Sequence, residues 1–162
     1  MQAGGYALGV ELALAAAAGY NHPAPVMSPR LSARLTDFIG SYGRRLSKAE
    51  LLVEREVYGV NAGIISYTTP AQADVLAQEL QLEPGALLLD IGSGTGWPGL
   101  HLAKTTGCQV MLTDVPSDAL RGAAARAYKQ GLAGSSSFAV ASGTHLPFRP
   151  RTFDAVVFAD VL

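Results

Sequence analysis

Three glycines stand at alternate positions, Gly92, Gly94 and Gly96, just after the apolar run LLLD and just before Trp97-Pro98. Glycine suits places where φ must be positive, or where a ligand lies against the backbone with no Cβ between them. The run reads as a strand ending at Asp90 and Trp97-Pro98 as the opening of a helix, so the glycines form a ledge between the two. A helix start behind such a ledge offers free N–H groups and a positive dipole end, suited to a carboxylate or a phosphate. A second acid, Asp114, closes the next apolar run, QVMLTD. In βαβ geometry that position sets a carboxylate beside a ribose, where it can accept both hydroxyl protons. As a plain strand-end cap ahead of Pro116, Asp114 would need no ligand.

Two patterns share these letters. Gly94, Gly96 and Gly99 spell the dinucleotide fingerprint G-x-G-x-x-G, with Asp114 twenty residues after Gly94, which would suit an NAD-dependent oxidoreductase. In that fold the first glycine follows the strand almost at once, whereas here Asp90-Ile91-Gly92-Ser93 intervenes before Gly94. The register Asp90, Gly92, Gly94, Gly96 fits a strand-end acid followed by G-x-G-x-G better.

The elements that must carry this loop follow from hydrophobic patterning. After Pro84-Gly85, short apolar runs alternate with helical segments: ALLLD (86–90), QVMLTD (109–114), FAVA (138–141) and FDAVVFA (153–159) read as strands, and SDALRGAAARAYKQG as a helix. Strands apolar nearly throughout and separated by single helices predict a parallel sheet covered on both faces, a doubly wound α/β fold. Upstream the grammar is helical. Ser28-Pro29 opens a stripe of Leu31, Leu35, Phe38 and Ile39 that Gly40 can end. Ser47 with Glu50 forms a capping-box pattern before LLVEREVY and Gly59, and Thr69-Pro70 with Gln72 opens a helix carrying Val75, Leu76 and Leu80. Residues 1–27 hold no Lys or Arg, are Ala-rich, and read as a weakly structured arm.

Composition narrows the function classes. The 162 residues hold 12 Lys+Arg against 13 Asp+Glu, a net charge of -1, with only 15% charged residues, so no broad electrostatic footprint for nucleic acid or anionic lipid is present. The single Cys108 makes neither an intramolecular disulfide nor a cysteine-rich zinc site, which predicts a reducing, cytoplasmic setting and no metal. The most apolar stretch, residues 6–20, is interrupted by Glu11 and by glycines, so no membrane span is expected. Cys108 reads as a small hydrophobe at a buried strand, His101 as structural, and Trp97 as packing beneath the loop.

LLLDIGSGTG resembles motif I of the class I S-adenosylmethionine-dependent methyltransferases, and QVMLTDV resembles the second-strand motif whose acid holds the ribose. ASGTHLPFRPRTFDAVVFADVL is similar to the pair that follows, an adenine-contacting loop ending in Leu-Pro-Phe and a Phe-Asp strand. The resemblance runs from about Tyr67 to the last residue, and Leu-Pro-Phe with YTTPAQ points to the small-molecule, methyltransferase type 11-like branch. It implies a Rossmann-like sheet and S-adenosyl-L-methionine as cofactor. The methionine part would lie against Asp90, Gly92, Ser93, Gly94 and Gly96. Asp114 and Val115 would hold ribose and adenine, Thr144, His145 and Leu146 would flank the adenine, and Ala159 and Asp160 would sit under the sulfonium. Tyr67 would lie over the cofactor, or else serve as a hydrophobic staple before its helix. The family usually has an acid at the place of Ser142; serine keeps a hydrogen bond there but not a charge-assisted one.

The resemblance also implies that the chain stops short. The family sheet has seven strands, of which this sequence holds the first four, with residues 28–66 as a helical extension and acceptor lid and 67–162 as a partial cofactor-binding domain. The expected reaction is methyl transfer to a small, apolar acceptor. No residue presents itself as a general base, so none is named catalytic. The alternative is a truncated, non-catalytic module that binds cofactor or pairs with itself through an exposed fourth strand, since an apolar sheet edge invites pairing.

Overall fold

The computed structural model describes residues 46–60, 63–64 and 66–161. The expected arm at 1–27 and the helix read from Ser28 to Gly40 lie outside the described residues.

Local signals set the first two helices. Helix α1, Lys48–Tyr58, starts at a complete capping box: the Glu50 N–H donates to Ser47 Oγ at 3.2 Å, and the Ser47 N–H donates to Glu50 Oε2 at 2.8 Å. It stops at Gly59, whose φ of 72° a side chain would resist. Helix α2, Pro70–Glu79, repeats the device with Thr69 and Gln72 and has proline at its start. Ala73, Leu76, Ala77 and Leu80 form its inner stripe. Val75 departs from expectation and is 54% exposed, because two residues along a helix from Ala73 points it to the far side.

The sheet then builds as β1, Leu87–Ile91; α3, Gly99–Thr106; β2, Gln109–Asp114; α4, Ser117–Lys129; β3, Ser136–Val140; and β4, Ala155–Val157. All pairings are parallel and the order is β3-β2-β1-β4. Leu88, Val110, Leu112, Ala155 and Val157 share one face, and Ala73, Leu100, Leu102, Leu120, Ala123 and Ala127 from α2, α3 and α4 close over it. Cys108, buried and free, belongs to the same core. Ile91 looks out on the other face, where the β3–β4 connection crosses it: a Cβ on Gly143 would come within 3.0 Å of Ile91 Cγ2. Two-sided winding is therefore present, but among the described residues the second face carries this connection and no helix. Gly143, Pro147 and Pro150 interrupt any helical run there.

Three strands differ from the sequence expectation. β1 starts and ends one residue later, at Leu87 and Ile91. β3 begins at Ser136, opposite Val110, so the serine tract belongs to the ladder. β4 is three residues long although FDAVVFA reads as seven. Asp154 turns its side chain to accept the Leu87 N–H at 2.8 Å, and Phe153 packs edge-on against Phe148 with ring centroids 4.9 Å apart. At the other end Phe158 is 67% exposed.

Leu112, fully buried in β2, makes the core testable. Leu112→Ala is expected to cost about 2–5 kcal/mol, read as a lowered urea midpoint with unchanged slope.

Candidate functional site at the carboxyl edge of the sheet

From β1 the chain winds to β2 and β3 on one side and reaches β4 on the other, so the strand order reverses at β1. In open parallel sheets a crevice forms outside the carboxyl ends of the strands at such a point. The glycine loop lies there. Gly92, Gly94 and Gly96 all have positive φ, 70°, 53° and 100°. Close packing adds to the conformational need: a Cβ on Gly96 would sit 2.5 Å from Leu100 Cδ1. Gly92 and Ser93 both donate their N–H to the Thr113 carbonyl, at 2.8 and 3.0 Å, which hangs the loop from β2.

Asp90 is the penultimate residue of β1 and is 1% exposed. Its Oδ2 accepts the Gly99 N–H at 3.0 Å, and a Cβ on Gly99 would lie 2.4 Å from that oxygen. Thus the third glycine of G-x-G-x-x-G makes room for the strand-end acid. The same bond corrects one expectation: the first amide of α3 is already taken by Asp90 and is not free for an anion. Burial pushes the Asp90 carboxyl well above the usual carboxylate range; the Gly99 N–H pulls it down and the nearby Asp114 charge pushes it further up. Asp90 Oδ1 and the Ser93 hydroxyl are buried without a hydrogen-bond partner.

Asp114 closes β2, 9% exposed, and faces the loop. Its Oδ2 accepts the Gly94 N–H at 2.7 Å and its Oδ1 the Val115 N–H at 2.7 Å. It is more than a strand-end cap, since it holds the loop from across the strand. Each oxygen retains a second lone pair for a hydroxyl. Burial raises its carboxyl above the ordinary range, against the two N–H groups that lower it.

The remaining sequence-predicted residues also fall at this edge. Val115 follows β2 and is 39% exposed. Past β3, Ser142 and His145 pair as an isolated bridge, with Thr144 Oγ1 2.9 Å from both Ser142 Oγ and His145 Nδ1. Thr144 and His145 are exposed, while Leu146 beside them and Ala159 past β4 are half-buried. Tyr67 is 92% exposed at the lip, so among the described residues its ring is not packed as a staple would be. His101 is structural, with Nε2 2.7 Å from Asp74 and its ring tilted on Trp97.

Several contacts at this edge carried no sequence signal, although Asp160 and Trp97 were themselves expected near the loop. Asp160, with φ of 57°, accepts at Oδ2 from the Ser66 hydroxyl, the Tyr67 N–H at 3.0 Å, and the Thr68 N–H and hydroxyl at 3.2 and 3.1 Å. These donors, Ser66 foremost, hold its carboxyl below the usual range. Trp97, whose indole N–H donates to the Thr68 carbonyl at 2.8 Å, ties down the same segment from the loop side. Arg126 reaches the loop from α4.

Comparison with known proteins agrees with this geometry. Residues 88–162 match the family model described as a methyltransferase domain. The ubiquinone/menaquinone biosynthesis C-methyltransferase UbiE of Rhizobium leguminosarum bv. trifolii is 37% identical over 79 residues, which are 48% of this chain and 31% of that protein. Among solved structures, phosphoethanolamine N-methyltransferase 2 of Haemonchus contortus, in complex with S-adenosyl-L-methionine, superposes with a TM-score of 0.59 at 25% identity, over 85% of this chain and 30% of that one. The [4+2]-cyclase SpnF superposes with a TM-score of 0.51 at 31% identity, over 54% of this chain and 32% of that one. This chain spans about a third of the length of the curated relatives it matches. Residues 88–162 are thus similar to a methyltransferase domain, and in them a parallel sheet presents a glycine loop between two acids at the strand ends.

A raised native pKa means that Asp90 contributes stability fully at low pH and loses it as pH rises through that raised value. Asp90→Asn is therefore expected to flatten the loss of stability as pH rises above the ordinary carboxylate range and to raise the urea midpoint at the upper end. A variant less stable than the parent above that range would show that the ionised carboxylate is the favoured native form.

Proposed function

We propose that this chain acts in S-adenosyl-L-methionine-dependent methyl transfer to a small, apolar acceptor. The observation that carries the reading is the pair of buried, unpartnered polar atoms, Asp90 Oδ1 and Ser93 Oγ, beside a glycine loop already fixed at both ends. Buried groups of this kind cost free energy unless something bonds to them. The amino end of the cofactor's methionine part is a donor suited to both.

On this reading Asp90, Gly92, Ser93, Gly94 and Gly96 hold the methionine part, and the remaining acceptor sites of Asp114 hold the ribose. Val115, Thr144, His145 and Leu146 border the adenine, and Ala159 and Tyr67 border the reacting end. The bound cofactor supplies a methyl group on a positively charged sulfur. The residues of the chain bind and orient it and keep water away, which is the main contribution an in-line displacement requires. We assign no general base. An apolar acceptor is supported by the low charge of the chain and by relatives named for quinone, sterol and squalene methylation. The balance of charge also favours such an acceptor over a nucleic acid. No helix among the described residues is long and apolar enough to cross a membrane, and a cytoplasmic setting is part of the same proposal.

A second reading rests on β4, an edge strand of the described sheet with Val156 46% and Phe158 67% exposed. Such an edge supports self-association, with or without methyl transfer. Size-exclusion chromatography with light scattering separates the two readings, since a monomer at all concentrations removes edge pairing.

Calorimetric titration with S-adenosylhomocysteine is expected to give saturable heat, and no heat would refute the cofactor assignment. Asp114→Ala should weaken that binding by about 1–3 kcal/mol, the range for hydrogen bonds to a charged group. Unchanged affinity would remove Asp114 from the ribose site.

A further inference from the structure

Gly94 and Gly96 leave the loop's peptide planes with little preference of their own, and Thr95 between them bears the only side chain. Two ionisable groups fix those planes from opposite sides. Asp114 accepts the Gly94 N–H, which sets the plane joining Ser93 to Gly94. Arg126 Nη1 donates to the Thr95 carbonyl at 2.7 Å and to Thr95 Oγ1 at 3.3 Å. That carbonyl shares a rigid plane with the Gly96 N–H, which donates to the Ser93 carbonyl at 2.8 Å. The plane joining Gly94 to Thr95 is then set by its two neighbours.

The guanidinium packs closely against Gly63. Thr95 Oγ1 donates to the Gly63 carbonyl at 3.2 Å, and Gly63 lies so close to Arg126 that a Cβ there would fall 1.7 Å from Nη2. The next residue, Ile64, donates its N–H to Glu54 Oε1 at 2.9 Å. Glu54, on α1, is 5% exposed and its Oε2 is buried. Burial lowers the Arg126 pKa from its usual value and the Glu54 charge raises it again. A continuous path thus runs from α1 through Gly63 and Ile64 to Arg126, Thr95 and the loop.

We propose that Arg126 is a positioning residue that couples α1 and residues 63–64 to the glycine loop and holds the Thr95–Gly96 peptide in its ligand-receiving orientation. The identity of that ligand rests on the proposed function; the shape of the loop does not.

The loop is where the methionine part would lie, whereas Asp114 and the loop after β3 face the nucleoside, so the two halves of the ligand report separately. Arg126→Gln and Arg126→Lys are compared with the parent by amide hydrogen exchange without ligand, and by titration with S-adenosylhomocysteine and with adenosine. Arg126→Gln is expected to speed exchange at Gly96 by about tenfold or more and to weaken S-adenosylhomocysteine roughly tenfold, the size of one charge-assisted hydrogen bond, with adenosine binding unchanged. Arg126→Lys, which keeps a cation beside Glu54 and one donor for Thr95, should recover part of both losses and remain folded if the glutamine variant does not. Unchanged exchange at Gly96, or equal weakening of both ligands, would overturn the proposal. Parent protein that binds neither ligand would refute the proposed function, and the exchange rates at Gly96 would still decide whether Arg126 sets the loop.

Discussion

The N–H of Gly99 donates to a carboxylate almost wholly shut off from solvent, and the local structure follows from keeping that contact. Asp90 sits one residue before β1 ends, so the chain must turn soon after it and return a helix start to meet it. That return fixes the length of the loop between Gly92 and Gly96. Because the oxygen occupies the space a Cβ would need, the residue at 99 is held to glycine. The carboxyl is expensive to ionise there, and the neighbouring Asp114 makes it more so. A site built this way is less stable than a well-satisfied core and is completed when a donor reaches the remaining oxygen.

The parallel register turns this local contact into a site. β1 and β2 end together, since Asp90 pairs with Leu112 and Ile91 with Thr113, so Asp114 projects beside the loop one step further on. The reversal of order at β1 then brings the end of β4 to the opposite wall, where Asp160 gathers donors from Ser66, Tyr67 and Thr68. Three strand-end acids thus differ by environment. Two are buried with raised carboxyl pKa values, and one is exposed and lowered by its hydrogen bonds.

What was legible in the sequence was local. Both capping boxes join residues three apart, and the positive φ values of Gly92, Gly94 and Gly96 follow from a loop that only glycine accommodates at that spacing. Asp90 and Asp114 were legible because each closes an apolar run. The shortness of β4 was not, since it depends on Asp154 capturing the N–H of Leu87, 67 residues away. Nor were the hydrogen bonds of Asp160, whose partners lie more than ninety residues upstream, or the role of Arg126, which reads in sequence as one more charge on the solvated face of an alanine-rich helix. Long-range polar bonds leave no periodicity, whereas the hydrophobic stripes and turns that place their backbones do.

Trp97 is the sole tryptophan of the chain, buried, with its indole N–H bonded to the Thr68 carbonyl. Its ring is attached to the glycine loop and its hydrogen bond to the segment that Asp160 clasps, so it spans both walls of the crevice. The molecule consequently carries its one indole fluorophore at the seam between these two walls. Any separation of the 66–68 segment from the loop must wet that indole and redden its emission, with no label added.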